Sequence, residues 1–174
     1  MKHLMVFIFL LLTTCTFSQN TIFIGSKSYD ATNSWTYEGS YQRYAAVQQV
    51  NASIQVGKKG KSGLFSISVN ADNSSSGIKG SIRIYLDNSK TILLSKVLAK
   101  DYVDNESVVI YEISETDCQK LKESNIKAVR FNLGYTGQVK GYTVNNIYNA
   151  DPDPRHYQEK HSNTAIEITN LFNN

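Results

Sequence analysis

Within Leu64–Asn70, apolar and polar residues alternate from Phe65 onward, with Phe65, Ile67 and Val69 on one side and Ser66, Ser68 and Asn70 on the other. That period of two marks a half-buried β-strand. Ile82, Ile84 and Leu86 alternate with Arg83 and Tyr85 in the same way. Between the two runs, Ala71-Asp72-Asn73-Ser74-Ser75-Ser76-Gly77 holds no apolar side chain larger than alanine and reads as a loop. Asp87-Asn88-Ser89-Lys90 predicts a tight turn into a strand over Thr91–Val97. Ser107–Ile113 and Lys127–Leu133 predict two more strands, the second placing Val129, Phe131 and Leu133 on one face. Thr21–Ile24, Trp35–Glu38, Tyr44–Val56, Tyr142–Tyr148 and Ala165–Thr169 complete the strand set. Lys58-Lys59-Gly60-Lys61 predicts a charged hairpin tip between Val56 and Leu64, which blocks edge-to-edge association. One short helix interrupts the pattern. Ser114 caps Glu115-Thr116-Asp117, Cys118 and Leu121 share a face, and Asn125 is the expected left-handed stop.

Strands at roughly ten-residue spacing without βαβ alternation imply an all-β fold, an antiparallel two-sheet β-sandwich with one short helix. A partly closed β-barrel is the alternative architecture. Asn149–Asn163, which contains both prolines, is the least regular stretch and predicts a long surface loop before a last strand.

The first eighteen residues follow another logic. Lys2 and His3 precede an unbroken apolar run, Leu4–Leu12, and then the polar Thr13–Ser18. This is the layout of a secretory signal peptide, with Thr16 and Ser18 at −3 and −1 of a cut before Gln19. Nine apolar residues are too few for a span that needs about 20, so no transmembrane segment is expected. The expected product is one domain over residues 19–174, secreted, periplasmic or at the cell surface. Leu12-Thr13-Thr14-Cys15 offers a minority route to lipid anchoring at Cys15.

The order Ile84-Tyr-Leu-Asp-Asn-Ser-Lys-Thr-Ile-Leu-Leu-Ser-Lys96, then Lys100–Ser114, then Leu121–Phe131 resembles uncharacterised small secreted β-rich proteins of Bacteroidota-type bacteria. The resemblance implies an exported bacterial β-protein and carries no catalytic residue with it.

Removing Lys2 with the leader leaves 17 basic against 15 acidic residues. A surplus this small gives no whole-chain footprint for nucleic acid or an anionic membrane. Cys118 is then the single cysteine, so stability rests on a packed core and no disulfide. There is no G-x-S-x-G elbow, phosphate-cradling glycine loop or H-E-x-x-H motif, and the expected protein is not an enzyme. The densest candidate site is aromatic: Tyr29, Trp35, Tyr37, Tyr41 and Tyr44, the means by which sandwich modules grip sugar rings, although Trp35 also suits a sandwich core. The expected function is therefore an exported binding module for a glycan or cell-envelope protein. The alternatives are an accessory envelope protein docking by a strand edge and a small metal-dependent hydrolase. The hydrolase would use Asp151, Asp153 and His156, whose carboxylates and imidazole can hold a divalent cation. Asp101, Asp104 and Glu106 form an acidic turn able to take calcium. The Asp72–Gly77 loop begins like an EF-hand, but Arg83 stands where the bidentate glutamate belongs.

Overall fold

The computed structural model describes residues 20–43, 46–71, 76–135, 138–149 and 159–173. Nine strands form one antiparallel sheet in the order β7-β6-β10-β11-β3-β4-β5-β9-β8. These are β3 (Trp35–Arg43), β4 (Ala46–Lys59), β5 (Ser62–Asn70), β6 (Ile78–Leu86), β7 (Thr91–Leu94), β8 (Val97–Val103), β9 (Glu106–Ile113), β10 (Ile126–Tyr135) and β11 (Gln138–Asn145). A hairpin of β1 (Thr21–Ile24) and β2 (Lys27–Asp30) and a two-residue pair, β12 (Tyr148–Asn149) with β13 (Glu159–Lys160), stand apart.

Chain connectivity forces this sheet to fold over. Strands β7 and β8 are its two opposite edges, yet Ser95 and Lys96 alone join them. Two linking residues allow Leu94 and Val97 to lie at most about 11 Å apart, whereas the edges of a flat nine-stranded sheet are about 38 Å apart. The half β7-β6-β10-β11 therefore turns back over the half β3-β4-β5-β9-β8. Phe65, Ile67 and Val69 of one half share a single buried core with Ile82, Ile84, Val129 and Phe131 of the other. The result is an antiparallel two-layered β-sandwich made from one continuous sheet, and the edges do not pair to close a barrel.

Side chains close the open seam instead. The Tyr111 hydroxyl of β9 donates to the Gly80 carbonyl at 2.8 Å, and the Ile78 N–H donates to Ser107 Oγ at 3.0 Å. Both satisfy backbone groups on the part of β6 that β7 leaves uncovered. At the corner, Glu112 accepts Lys59 Nζ at 2.9 Å and pairs with Lys96, while its N–H donates to the Lys96 carbonyl at 2.9 Å. Bonds to Lys96 and then Lys59 hold the Glu112 carboxyl below its ordinary value of 4.5. A depressed carboxylate contributes stability above its unfolded value and loses it as the pH falls through the folded one. The wild-type protein should thus lose urea resistance more steeply than Glu112→Gln below about pH 4.5. Parallel urea midpoints from about pH 6 to about pH 3 would refute this role.

Helix α1 (Glu115–Glu123) is the predicted one. Ser114 Oγ accepts the Asp117 N–H at 3.1 Å and donates to that carboxylate at 2.7 Å, while Cys118 and Leu121 are buried. Its end differs from expectation. Asn125 has no positive φ; Ser124 turns extended straight into β10, and Asn125 Oδ1 accepts the Ala165 N–H at 3.0 Å.

That bond lies at the start of a second helix, α2 (Thr164–Asn173), where a strand over Ala165–Thr169 was expected. Ile166 and Ile168 mimic a period of two, but Ile166 is exposed. The stripe that packs is Thr164, Ile168 and Phe172, spaced by four as on one helix face. The expected single strand Thr91–Val97 is likewise two strands, β7 and the start of β8, at opposite edges of the sheet. The predicted hairpin tip is present, with Gly60 at φ +63° between β4 and β5. Asp104 and Asn105, both at positive φ, make the tight turn from β8 to β9.

Candidate binding face

The aromatic cluster does not form a presented platform. Trp35 is 4 % exposed and Tyr37 fully buried, both within the main core. Trp35 Nε1–H donates to Glu167 Oε1 of α2 at 3.0 Å. The Tyr37 hydroxyl donates to the Ile126 carbonyl at 2.8 Å, and burial drives its ionisation far above the ordinary phenol range. Alternation in β3 explains this: Trp35 and Tyr37 fall on the inward face, with Thr36 and Glu38 outward. Tyr29 is half-buried against a smaller cluster of Ile22, Ala31, Leu64 and Ile110 beneath the β1–β2 hairpin. Tyr41 lies on β3 opposite Gln48, its side chain outside the described residues, as are Tyr44, Asp151, Asp153 and His156. Among the described residues no three His, Cys, Asp or Glu side chains cluster as a metal site. Asp101 Oδ1 is engaged by the Tyr102 N–H at 2.8 Å. No helix among them is long and apolar enough to cross a membrane.

Cys118 is 1 % exposed against Gly63, and burial pushes its thiol up to about 12. The native protein should therefore resist an aromatic disulfide reagent at about pH 8, whereas the urea-unfolded chain reacts at once. Equal rates in the two states would place the thiol at the surface.

Charge, nearly balanced along the chain, is sorted in space. Strands β6, β7, β10 and β11 carry Lys79, Arg83, Lys127, Arg130 and Lys140 and no acidic residue. On the outward face of this half, Arg83 of β6 stands directly opposite Arg130 of β10. The same row runs from Leu93 on β7, paired with Arg83, to Thr143 on β11, paired with Arg130. Next to it, Asn132 pairs with Lys79 on one side and Gly141 on the other. The register slips between Arg130 and Asn132, where Gly80 takes φ +70° and Ser81 is set beside the arginines. A Cβ at Gly141 would sit 3.3 Å from Asn132 Oδ1 and 3.6 Å from Arg130 Nη2. The glycine thus leaves room for the guanidinium to lie across β11. Ser81, Arg83, Leu93, Arg130 and Asn132 line an open groove of about 340 Å³.

Compared with family models, curated proteins and solved structures, the chain finds no match.

Two other depressions also hold charged side chains without a bonded partner among the described residues, and the groove differs from them in setting two arginines directly opposite each other. The seam depression, of about 450 Å³, includes Ser107, already bonded to Ile78. A smaller one of about 170 Å³ includes Asn125 and Asn146, whose amides cap α2 and bridge to Ser162. In the groove, Ser81, Arg83, Arg130 and Asn132 make no side-chain hydrogen bond or ion pair among the described residues. Like charges placed directly opposite one another on neighbouring strands destabilise a sheet, and an anion lying between them reverses the sign of that interaction. Sequence reading did not find this pair, because 47 positions separate Arg83 from Arg130 and only strand register brings them together.

Proposed function

We propose that the chain is an exported, non-catalytic binding module that takes a negatively charged glycan or cell-envelope ligand on the outward face of β6, β10 and β11. The observation that carries this reading is the unpaired Arg83–Arg130 couple in a half-sandwich whose four strands carry no acidic residue. Four arginines stand among the 18 basic residues of the chain, and two of them face each other here. Export rests on the basic, apolar and polar order of residues 1–18. The setting is that of a bacterial envelope, as the resemblance of Ile84–Phe131 implies.

Affinity electrophoresis of the purified protein through gels holding anionic or neutral polysaccharide tests the reading. Retardation should be confined to anionic gels and should fall as salt rises from about 0.05 to about 0.5 M. Equal mobility in every gel would refute it.

A further inference from the structure

We propose that Arg83 and Arg130 form a clamp for the carboxylate of an acidic sugar, a uronate residue within a glycan chain. The inference rests on the binding reading above and names the ligand class of that same face. Directly opposed residues on neighbouring strands hold their Cβ atoms about 5 Å apart, so both guanidiniums can converge on one small anion. Guanidinium presents paired N–H donors in a planar fork that matches the two oxygens of a carboxylate.

The rest of the lining suits a sugar ring. Ser81 and Asn132 offer a hydroxyl and an amide that are not engaged among the described residues, as ring hydroxyls require. Leu93, 58 % exposed at the end of the same row, offers an apolar surface to ring C–H groups. Gly141 keeps the β11 side low, and the groove volume lies at the small end of ligand sites. Single-stranded nucleic acid, also an anion, is the less fitting ligand. Its bases need exposed aromatic faces, and the one ring that lines the groove, Phe131, is fully buried.

The test is calorimetric titration of the purified protein with a galacturonic acid trisaccharide. Its carboxyl-reduced counterpart, a dextran sulfate oligosaccharide of similar length and a short single-stranded DNA serve as comparisons. The uronate should bind, and the reduced sugar should bind at least about tenfold more weakly. Arg83→Ala and Arg130→Ala should each weaken uronate binding by about tenfold or more without lowering thermal stability, since both remove a like-charge opposition. The double variant with Arg83→Lys and Arg130→Lys keeps the charge and loses the forks. It should retain salt-sensitive binding to dextran sulfate while losing its preference for the uronate. Equal affinity for the acid and the reduced sugar would overturn the clamp and the charge requirement of the binding reading together, whereas loss of the uronate preference with retained anion binding would overturn the clamp alone. Tighter binding of dextran sulfate or DNA, neither of which carries a carboxylate, than of the uronate would overturn the sugar-acid assignment but leave the anionic face. No binding to any of the charged probes would overturn both proposals.

Discussion

Trp35→Ala is expected to destabilise the protein by about 3–5 kcal/mol, the cost of deleting a large aromatic side chain from a packed interior. The indole is 4 % exposed, and it joins β3 to α2 through its bond to Glu167. Glu167 Oε2 in turn accepts Asn33 Nδ2 at 3.3 Å, and Asn33 Oδ1 accepts Asn20 Nδ2 at 2.8 Å. Truncating the indole therefore opens a cavity and also removes one donor from the carboxylate that ties α2 to the segment before β3. Far-ultraviolet dichroism with urea should show a lowered midpoint and an unchanged slope. The variant, studied at a temperature where it remains folded, should match the wild type in the retardation proposed for anionic gels, because Trp35 belongs to the inward layer. A stability loss under about 1 kcal/mol, or selective loss of glycan binding in a fully stable variant, would return the aromatic cluster to the ligand site.

The contrast between Trp35 and Arg83 shows what a single chain can disclose. Strand periodicity is local, so the inward layer of Phe65, Ile67 and Val69 and the alternating faces of β6 and β10 were legible residue by residue. The capped start of α1 was legible for the same reason, since Ser114 and Asp117 are three residues apart. Elements whose shape depends on distant partners were not. In α2 the Ile166–Ile168 alternation outweighed the four-residue stripe of Thr164, Ile168 and Phe172. That stripe acquires meaning once Asn125, Ile126 and the α1 surface supply something to pack on. Thr91–Val97 is an uninterrupted β-favouring run, and the corner at Ser95–Lys96 exists because the sheet must return on itself. The candidate face is a third case. A nearly neutral total conceals strands that are basic throughout, and the signal was available by scoring charge strand by strand. Charge sign along 78–86, 126–135 and 138–145 is uniform, whereas β9 carries two glutamates and β8 a lysine beside an aspartate. Which two cations meet is a matter of register, and register is settled by the bulge at Gly80 and by the partners on β10.

Gly39→Ala is expected to cost about 3 kcal/mol, the upper end for forcing atoms into a filled site, although φ at this position is ordinary for any residue. The reason is the joint between the two halves of the sandwich. Strand β11 meets β3 through one register pair, Asn145 with Glu38, and immediately beside it the Thr143 carbonyl closes on Gly39. A Cβ there would lie 2.3 Å from that oxygen, far inside contact distance, and the obstructing atom is backbone and cannot rotate away. The carbonyl instead rests against the bare Cα, a contact that adds weakly to a joint with few ladder bonds. Any side chain must push β11 off β3, and with it the half that carries Arg83 and Arg130. Gly141→Ala is the matched control. Its new methyl would meet first the Asn132 amide oxygen at 3.3 Å, the end of a side chain that can yield, so its cost should stay under about 1 kcal/mol. Paired urea curves for the two variants decide the matter. If Gly39→Ala is as stable as Gly141→Ala, the two halves are not held in register at Gly39, and the close approach of β11 to β3 is not what aligns the basic layer over the core.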